Sequence, residues 1–453
     1  MAENDKLREA LKRVGAPLLE IAERVSRYPR LTDAEIDQKA RGPLGDRNYE
    51  WYPDPFPRDG TILLPGEDRD LRSVSETIGR FFPGRTSTAY ASAVLRFAVE
   101  HCLQKQASQD RLADFAGALK YLAEFDEEWM FIYPLENLVL EAGRLRIGPV
   151  RFQPTTEGDT FLRWRKRETR LALGKASVLA PTKAAPTFLD PTSRCDSWAT
   201  VKTRGDRLLA EERAFRLVTQ AIDIMRLFVA QSETVAMHGS VNFGLGGQAT
   251  GAETNVGFRK CRVNSNPTRT RTFETLKKEQ RYGPAARYKA VITSDTLTRM
   301  RQDGLDALSD ALARTKRSQL EDRVFRALAW FSEAVTSAYE IDRYLKFVFA
   351  IDALLAGGPK GEGTTADIGE RAAFIFAHTL KARRAIKKEV VRHFHLRHAY
   401  AHGDRKAVPF RDLFWAELNC AVLIRNFVVD HMSRQSFDAF LQWVEEEKFS
   451  TAG

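Results

Sequence analysis

Apolar residues recur along this chain at two different periods, and the change from one to the other divides it into regions. Over residues 4–27 the positions Leu7, Leu11, Val14, Leu18, Ile21 and Val25 are three or four apart, which predicts an amphipathic helix that stops near Tyr28 and Pro29. The next stretch is irregular: Gly42-Pro43 and the run from Trp51 to Pro57, with prolines at 53, 55 and 57, forbid regular helix and offer aromatics for packing on a neighbouring surface. Helical spacing returns over 74–102. Between 131 and 154 the pattern becomes strand-like. Leu138-Val139-Leu140 and Leu145-Arg146-Ile147 lie either side of Glu141-Ala142-Gly143-Arg144, and Gly148-Pro149 leads into Val150-Arg151-Phe152, so a hairpin is predicted here. A proline-rich connector covers about 180–191. A helix is predicted over 206–229, with Leu209, Phe215, Leu217, Ile222, Ile224 and Leu227 available for burial, before a glycine-rich stretch at 239–258.

From about residue 320 onward the helical period dominates. Segments 325–339, 344–355, 366–379, 382–402 and 413–432 predict an antiparallel helical bundle. The fold class expected is therefore α+β overall: a mixed α/β region over 1–180, a helical middle region with a glycine-rich segment over 181–319, an all-α bundle over 320–435 and a tail over 436–453.

With 453 residues, 43% of them hydrophobic, the chain exceeds one ordinary core and has the apolar content to fill several. A formal net charge of +10 points to an acidic partner, nucleic acid being the commonest. Cys102, Cys195, Cys261 and Cys420 are widely separated without CxxC spacing, which indicates neither a zinc ribbon nor a disulfide framework and suits a reducing compartment. The N-terminal residues lack the apolar core of a signal peptide and no apolar run approaches the length of a membrane span, so a soluble, cytoplasmic protein with no membrane partner is expected.

Four of the eight histidines, His393, His395, His398 and His402, fall close together, and Arg397 precedes His402 by five positions. An arginine is a permanently charged fork of donors and a histidine exchanges protons near neutral pH, a combination suited to phosphodiester chemistry without a metal. Spacing alone does not single out this pair. Arg96 and His101, Arg371 and His378, Arg392 and His398, and Arg425 and His431 are comparably spaced. Context separates them. Arg96 and His101 are embedded in apolar residues, as on a packed helix face, and Ala372, Phe374, Ile375 and Ala377 surround the second pair in the same way. Arg397 is followed by a second polar residue, His398, and Gly403 directly follows His402. Such a glycine takes the positive φ that ends a helix, which places His402 at the negative end of the helix dipole, where an imidazolium is favoured.

The order of these elements resembles the HEPN superfamily, in particular its ApeA-like branch. Phe347-Val348-Phe349-Ala350-Ile351-Asp352-Ala353-Leu354-Leu355 is similar to the branch's aliphatic-acidic helix, 357–363 to its glycine-containing loop, and Gly369-Glu370-Arg371-Ala372-Ala373 to its Glu-Arg helix opening. Arg397-His398-Ala399-Tyr400-Ala401-His402-Gly403 is similar to its final Arg-polar-x-x-x-His-Gly. The likeness covers roughly 320–435. Asp352 stands where Glu is commoner and His398 where Asn, Asp or Ser is commoner. The resemblance implies an endoribonuclease with Arg397, His402 and His398 at the catalytic centre and Asp352, Arg371 and Tyr400 in support. It also implies a homodimer that brings two motifs to one cleft, products with a 2′,3′-cyclic phosphate and a 5′-hydroxyl, RNA as the partner, and no cofactor. Branch members are often prokaryotic defence or toxin components under regulation, which implies an activating ligand or protein acting on the N-terminal region. The alternative is a non-catalytic RNA- or nucleotide-binding HEPN protein.

The residues also suggest rivals. His395, His398 and His402 share a helical face with a zinc-like spacing, but no Glu follows His398 and no Cys is near, so no metal is expected. Gly358 to Thr365 imitates a phosphate loop without its Lys or its preceding strand and reads as a linker, and Gly244-Leu245-Gly246-Gly247 approximates a dinucleotide fingerprint with no following helix. Arg163, Trp164, Arg165 and Lys166 mix base-stacking and cationic side chains as a single-strand-binding surface does, or as an exposed strand edge does.

Overall fold

A computed structural model describes residues 3–25, 65–82, 87–103, 108–124, 128–154, 197–229, 243–245, 257–264, 274–278, 289–337, 339–357, 364–403 and 407–450. The chain is mostly helical with a smaller strand region, consistent with an α+β class. It divides into two units, Met1–Trp129 with Thr203–Arg213 and Met130–Lys202 with Ala214–Gly453.

The first unit is built on α1 (Glu3–Val25), α2 (Pro65–Phe81), α3 (Thr88–Leu103) and α4 (Ser108–Glu124). Val14, Leu18 and Ile21 of the first predicted stripe are buried together with Leu71, Val74, Ile78, Leu95, Val99, Phe115 and Leu119. The helical spacing read over 74–102 falls on two helices, α2 and α3.

The second unit holds the sheet. Its strands include β1 (Glu128–Glu136), β2 (Leu138–Leu140), β3 (Leu145–Ile147), β4 (Val150–Pro154), β5 (Ser197–Arg204), β6 (Gly244–Leu245), β7 (Gly257–Asn264), β8 (Glu274–Lys278) and β9 (Ala290–Ile292). The main sheet runs β3-β4-β5-β1-β7-β8 with β6 on β1, and β2 pairs separately with β9. The predicted hairpin is thus corrected: β3 and β4 form it across Gly148-Pro149, while β2 runs parallel to β9, Leu138 opposite Ala290 and Leu140 opposite Ile292. Gly148, with φ +56°, makes the tight turn. The glycine fingerprint dissolves as well, because Gly244 and Leu245 pair with Glu136 and Leu135 as strand.

Helix α5 (Arg207–Val229) matches its prediction and buries Ile222, Ile224 and Leu227. After α6 (Ser294–Gln302) and α7 (Leu305–Ala313) come α8 (Gln319–Thr336), α9 (Glu340–Leu355), α10 (Thr365–Phe376), α11 (Leu380–Ala401), α12 (Phe410–Asp430) and α13 (Phe437–Ser450). Helix α8 starts on a capping box, with Ser318 accepting from the Glu321 amide and the Glu321 carboxylate returning to the Ser318 amide. Thr364 and Asp367 do the same for α10, so the threonine that imitated a phosphate loop is a helix cap. The residues expected as a tail carry α13, whose Phe437, Phe440 and Val444 are buried.

Candidate functional site

The motif lies on α11 and the turn that ends it. Apolar residues at Val390, Phe394 and Leu396 bury one side of this helix, and Thr379 caps its start by accepting from the Ala382 amide. At the other end His402 is the C-cap, with φ −89° and ψ 0°, and its amide donates to His398 O at 3.1 Å. Gly403 follows at φ +78° and donates to Tyr400 O at 3.2 Å. A Cβ at Gly403 would meet nothing within 4 Å, so the glycine is required by backbone angle and not by space.

The site residues fall into two pairs. His398 and His402, one helical turn apart and both exposed, bring their rings to 4.2 Å at a tilt of 58°. Arg397 turns to α9, where its Nη1 donates to Asp352 Oδ2 at 3.2 Å. Its guanidinium also lies over the rings of Phe394 and Phe349, with centroids at 4.9 and 5.5 Å. Five residues on a regular helix amount to about 140° of rotation and ~7.5 Å of rise, which is why Arg397 and His402 face different directions within one chain. The single hydrogen bond to Asp352 occupies one of the five N–H donors of Arg397, and the aromatic faces hold its plane without consuming donors.

Tyr400 is buried, meets Tyr344 edge-on at 5.2 Å, and donates its hydroxyl to Ala407 O at 3.2 Å. That bond ties the last turn of α11 to the segment leading into α12. Arg371 serves the end of α9: its Nη1 donates to Leu355 O at 2.7 Å and Gly357 O at 2.6 Å, while Arg323 donates to Ala356 O at 2.6 Å. Two cations at the negative end of α9 fix the helix that presents Asp352. Burial, with Arg326 and Arg371 nearby, pulls the Arg323 guanidinium down to about 10, still charged at neutral pH.

His393, one of the four clustered histidines, proves to be core. It is 1% exposed, stacks on Trp415 at 3.9 Å with an 8° interplanar angle, and contacts the Tyr344 hydroxyl through Nδ1 at 2.7 Å. Burial, reinforced by Arg392, lowers its pKa to about 4, so it is a neutral imidazole in the folded protein. No sequence signal marks this, because Trp415 and Tyr344 come from two other helices. Arg163, Trp164, Arg165 and Lys166 lie outside the described residues. Among the described residues no group of three or more His, Cys, Asp or Glu side chains converges as metal ligands would, and no helix is long and apolar enough to cross a membrane. No family model, no curated protein and no solved structure matches this chain.

Proposed function

We propose that the protein is a metal-independent endoribonuclease that works as a homodimer through its helical bundle, with Arg397 and His402 as its catalytic groups and His398 assisting. The observation that carries this is the exposed His398–His402 ring pair at a glycine-capped helix end, next to an arginine that a carboxylate holds through one hydrogen bond among the described residues. In the reaction a neutral imidazole takes the proton of the ribose 2′-hydroxyl. The 2′-oxygen then bonds to phosphorus, and the phosphorus–5′-oxygen bond breaks as a protonated imidazole delivers its proton to the leaving oxygen. Arg397 donates to the nonbridging oxygens as their charge rises. The products are a 2′,3′-cyclic phosphate and a 5′-hydroxyl, and DNA is spared because it lacks the nucleophile.

A single chain turns Arg397 and His402 apart, and a two-fold axis supplies both groups from both copies to one cleft. Phe410, Phe414 and Leu418 support this arrangement. They are 76%, 40% and 40% exposed at i, i+4 and i+8 of α12, the helix that begins just after the motif, and form an apolar stripe suited to a second copy. We assign regulation to the regions before the bundle, acting in response to a ligand or protein, as suits a cytoplasmic defence or toxin effector.

The test is cleavage of labelled RNA in EDTA by wild type, Arg397→Ala and His402→Ala, with sedimentation of wild type and Phe414→Glu. Cleavage by wild type alone, with cyclic-phosphate ends, and a dimer lost together with activity in Phe414→Glu are expected. Undiminished cleavage by both alanine variants, or abolition by EDTA, overturns the proposal.

A further inference from the structure

Helix α11 carries Lys and Arg at 381, 383, 384, 387, 388, 392 and 397, with Glu389 as its one acid. These cations divide sharply by partner. Arg383 pairs with Glu447, Lys387 with Glu370, Arg392 with Glu389 and Asp412, and Arg397 with Asp352. Lys381, Arg384 and Lys388 are exposed and make no salt bridge among the described residues. At 100° per residue these three lie within about 60° of one another around the helix, and His395, His398 and His402 fall on the same side, giving an arc of about 100°. From Lys381 to His402 this stripe is ~31 Å long at 1.5 Å per residue. Glu389 lies outside the arc.

Helix stability does not account for the arrangement. Among the helices from α6 onward, α6, α7, α8, α9, α10, α12 and α13 each have an acid in the first turn, as the helix dipole favours, whereas α11, like α3 and α5 earlier in the chain, has none, and it opens with Lys381, Arg383 and Arg384. A cation there works against the dipole and adds to the positive field at the helix start. Arg383 is compensated by Glu447 and Ala377 O, but Lys381 and Arg384 break the rule with no salt bridge among the described residues, as on a surface kept for binding.

We infer that the exposed face of α11 is a backbone track for single-stranded RNA, in which Lys381, Arg384 and Lys388 hold successive phosphates of a strand that reaches the His398–His402 pair. The inference rests on the proposed ribonuclease reading for the identity of the strand. The cations supply phosphate contacts and carry no sequence preference. Their spacing of three and four residues puts neighbouring charges one helical turn apart, close enough to serve one continuous strand.

The experiment measures binding of a fluorescent 2′-O-methyl RNA 20-mer, which has no free internal 2′-hydroxyl to attack, to the full chain between 50 and 200 mM salt. Wild type is compared with Lys381→Gln/Arg384→Gln/Lys388→Gln and with a control, Arg299→Gln/Lys316→Gln/Arg326→Gln, that removes three exposed cations elsewhere. At ~0.7 log unit of salt slope per phosphate contact, the track variant loses about 2 units of slope, which is a roughly 20-fold smaller loss of affinity over that salt range. The control keeps the wild-type slope. Equal slopes for wild type and track variant, an equal drop in the control, or no binding by wild type overturns the track. Cleavage of ordinary RNA is followed in parallel: a track confirmed by slope in a protein that cuts nothing leaves the inference standing and removes the ribonuclease reading. Cleavage with an unchanged KM in the track variant does the reverse.

Discussion

The two sides of α11 are made of the same residue types and treat them oppositely. On the packed side His393, Arg383, Arg392 and Tyr400 each have a defined partner: Trp415 and Tyr344, Ala377 O and Glu447, Glu389 and Asp412, and Ala407 O. On the open side His395, His398, His402 and the cations Lys381, Arg384 and Lys388, which make no salt bridge among the described residues, face solvent. Within the fold a buried polar group must be satisfied or it destabilises, so the packed side reads as architecture. The open side contributes little to folding, and its composition requires another explanation. The difference shows that residue identity is a weak guide to role here, and that burial with partners sorts the four clustered histidines better than their spacing does.

The comparison is broken most forcefully at His402. His402→Ala is expected to lower RNA cleavage by about 10²–10⁴-fold, the usual worth of one general acid–base group, while the melting temperature stays at the wild-type value because the side chain is exposed. Cleavage rates and a thermal melt on the same preparation check this. A large fall in melting temperature would show that the open side is structural after all.

The opposite outcome is expected one face away. His393→Ala removes a stacked ring and leaves the Tyr344 hydroxyl without its 2.7 Å partner at Nδ1. The hydroxyl keeps its bond to the His393 carbonyl at 3.2 Å, so the cost is mainly that of deleting an aromatic-sized group from a core, about 3 kcal/mol, read as a denaturant midpoint. Cleavage by the folded fraction should persist.

Acid sharpens the contrast through the packed histidines, whose charging is coupled to folding. Burial, with Arg392 or Arg434 adding repulsion, holds His393 and His431 at about 4, below the ordinary 6.5. Between those values the unfolded chain binds more protons than the folded one, so stability falls as pH drops from 6.5 toward 4. Asp223 acts in the other direction. Burial raises it from 3.8 to about 6 despite Arg226, so the folded state binds the extra proton and acidification through 6 stabilises it. In melts from pH 7 to 4, His431→Phe should remove about half of the histidine-driven loss and Asp223→Asn should steepen it. Parallel pH profiles for wild type and His431→Phe would reject the assignment.

What could be foreseen from sequence follows the range of the interactions. The Gly403 cap and the helical segments of the bundle were legible because caps and 3.6-residue periodicity are local. The partner of β2 was not, since β9 lies beyond six other described strands along the chain and a parallel pairing leaves no turn to mark it. Helix α13 escaped because its buried stripe is short, Phe437, Phe440 and Val444, and ends in Glu445-Glu446-Glu447, which suggests a solvated tail. At the site, the Arg397–Asp352 pair joins two helices 45 positions apart, so sequence supplied both residues through a family likeness and the contact itself only through the fold.

The smallest effect separates the two sides most cleanly. Lys381 sits in the first turn of α11 with no salt-bridge partner among the described residues, where the helix dipole disfavours a cation. Lys381→Glu should therefore stabilise the bundle, by about 0.3–1 kcal/mol, measured as a small rise in denaturant midpoint. The same change replaces a phosphate-binding cation with an anion and should weaken RNA binding at 50 mM salt. A residue whose replacement improves folding and impairs binding is held in place by function. If Lys381→Glu moves both measurements in the same direction, or moves neither, the open side of α11 is an ordinary solvated face.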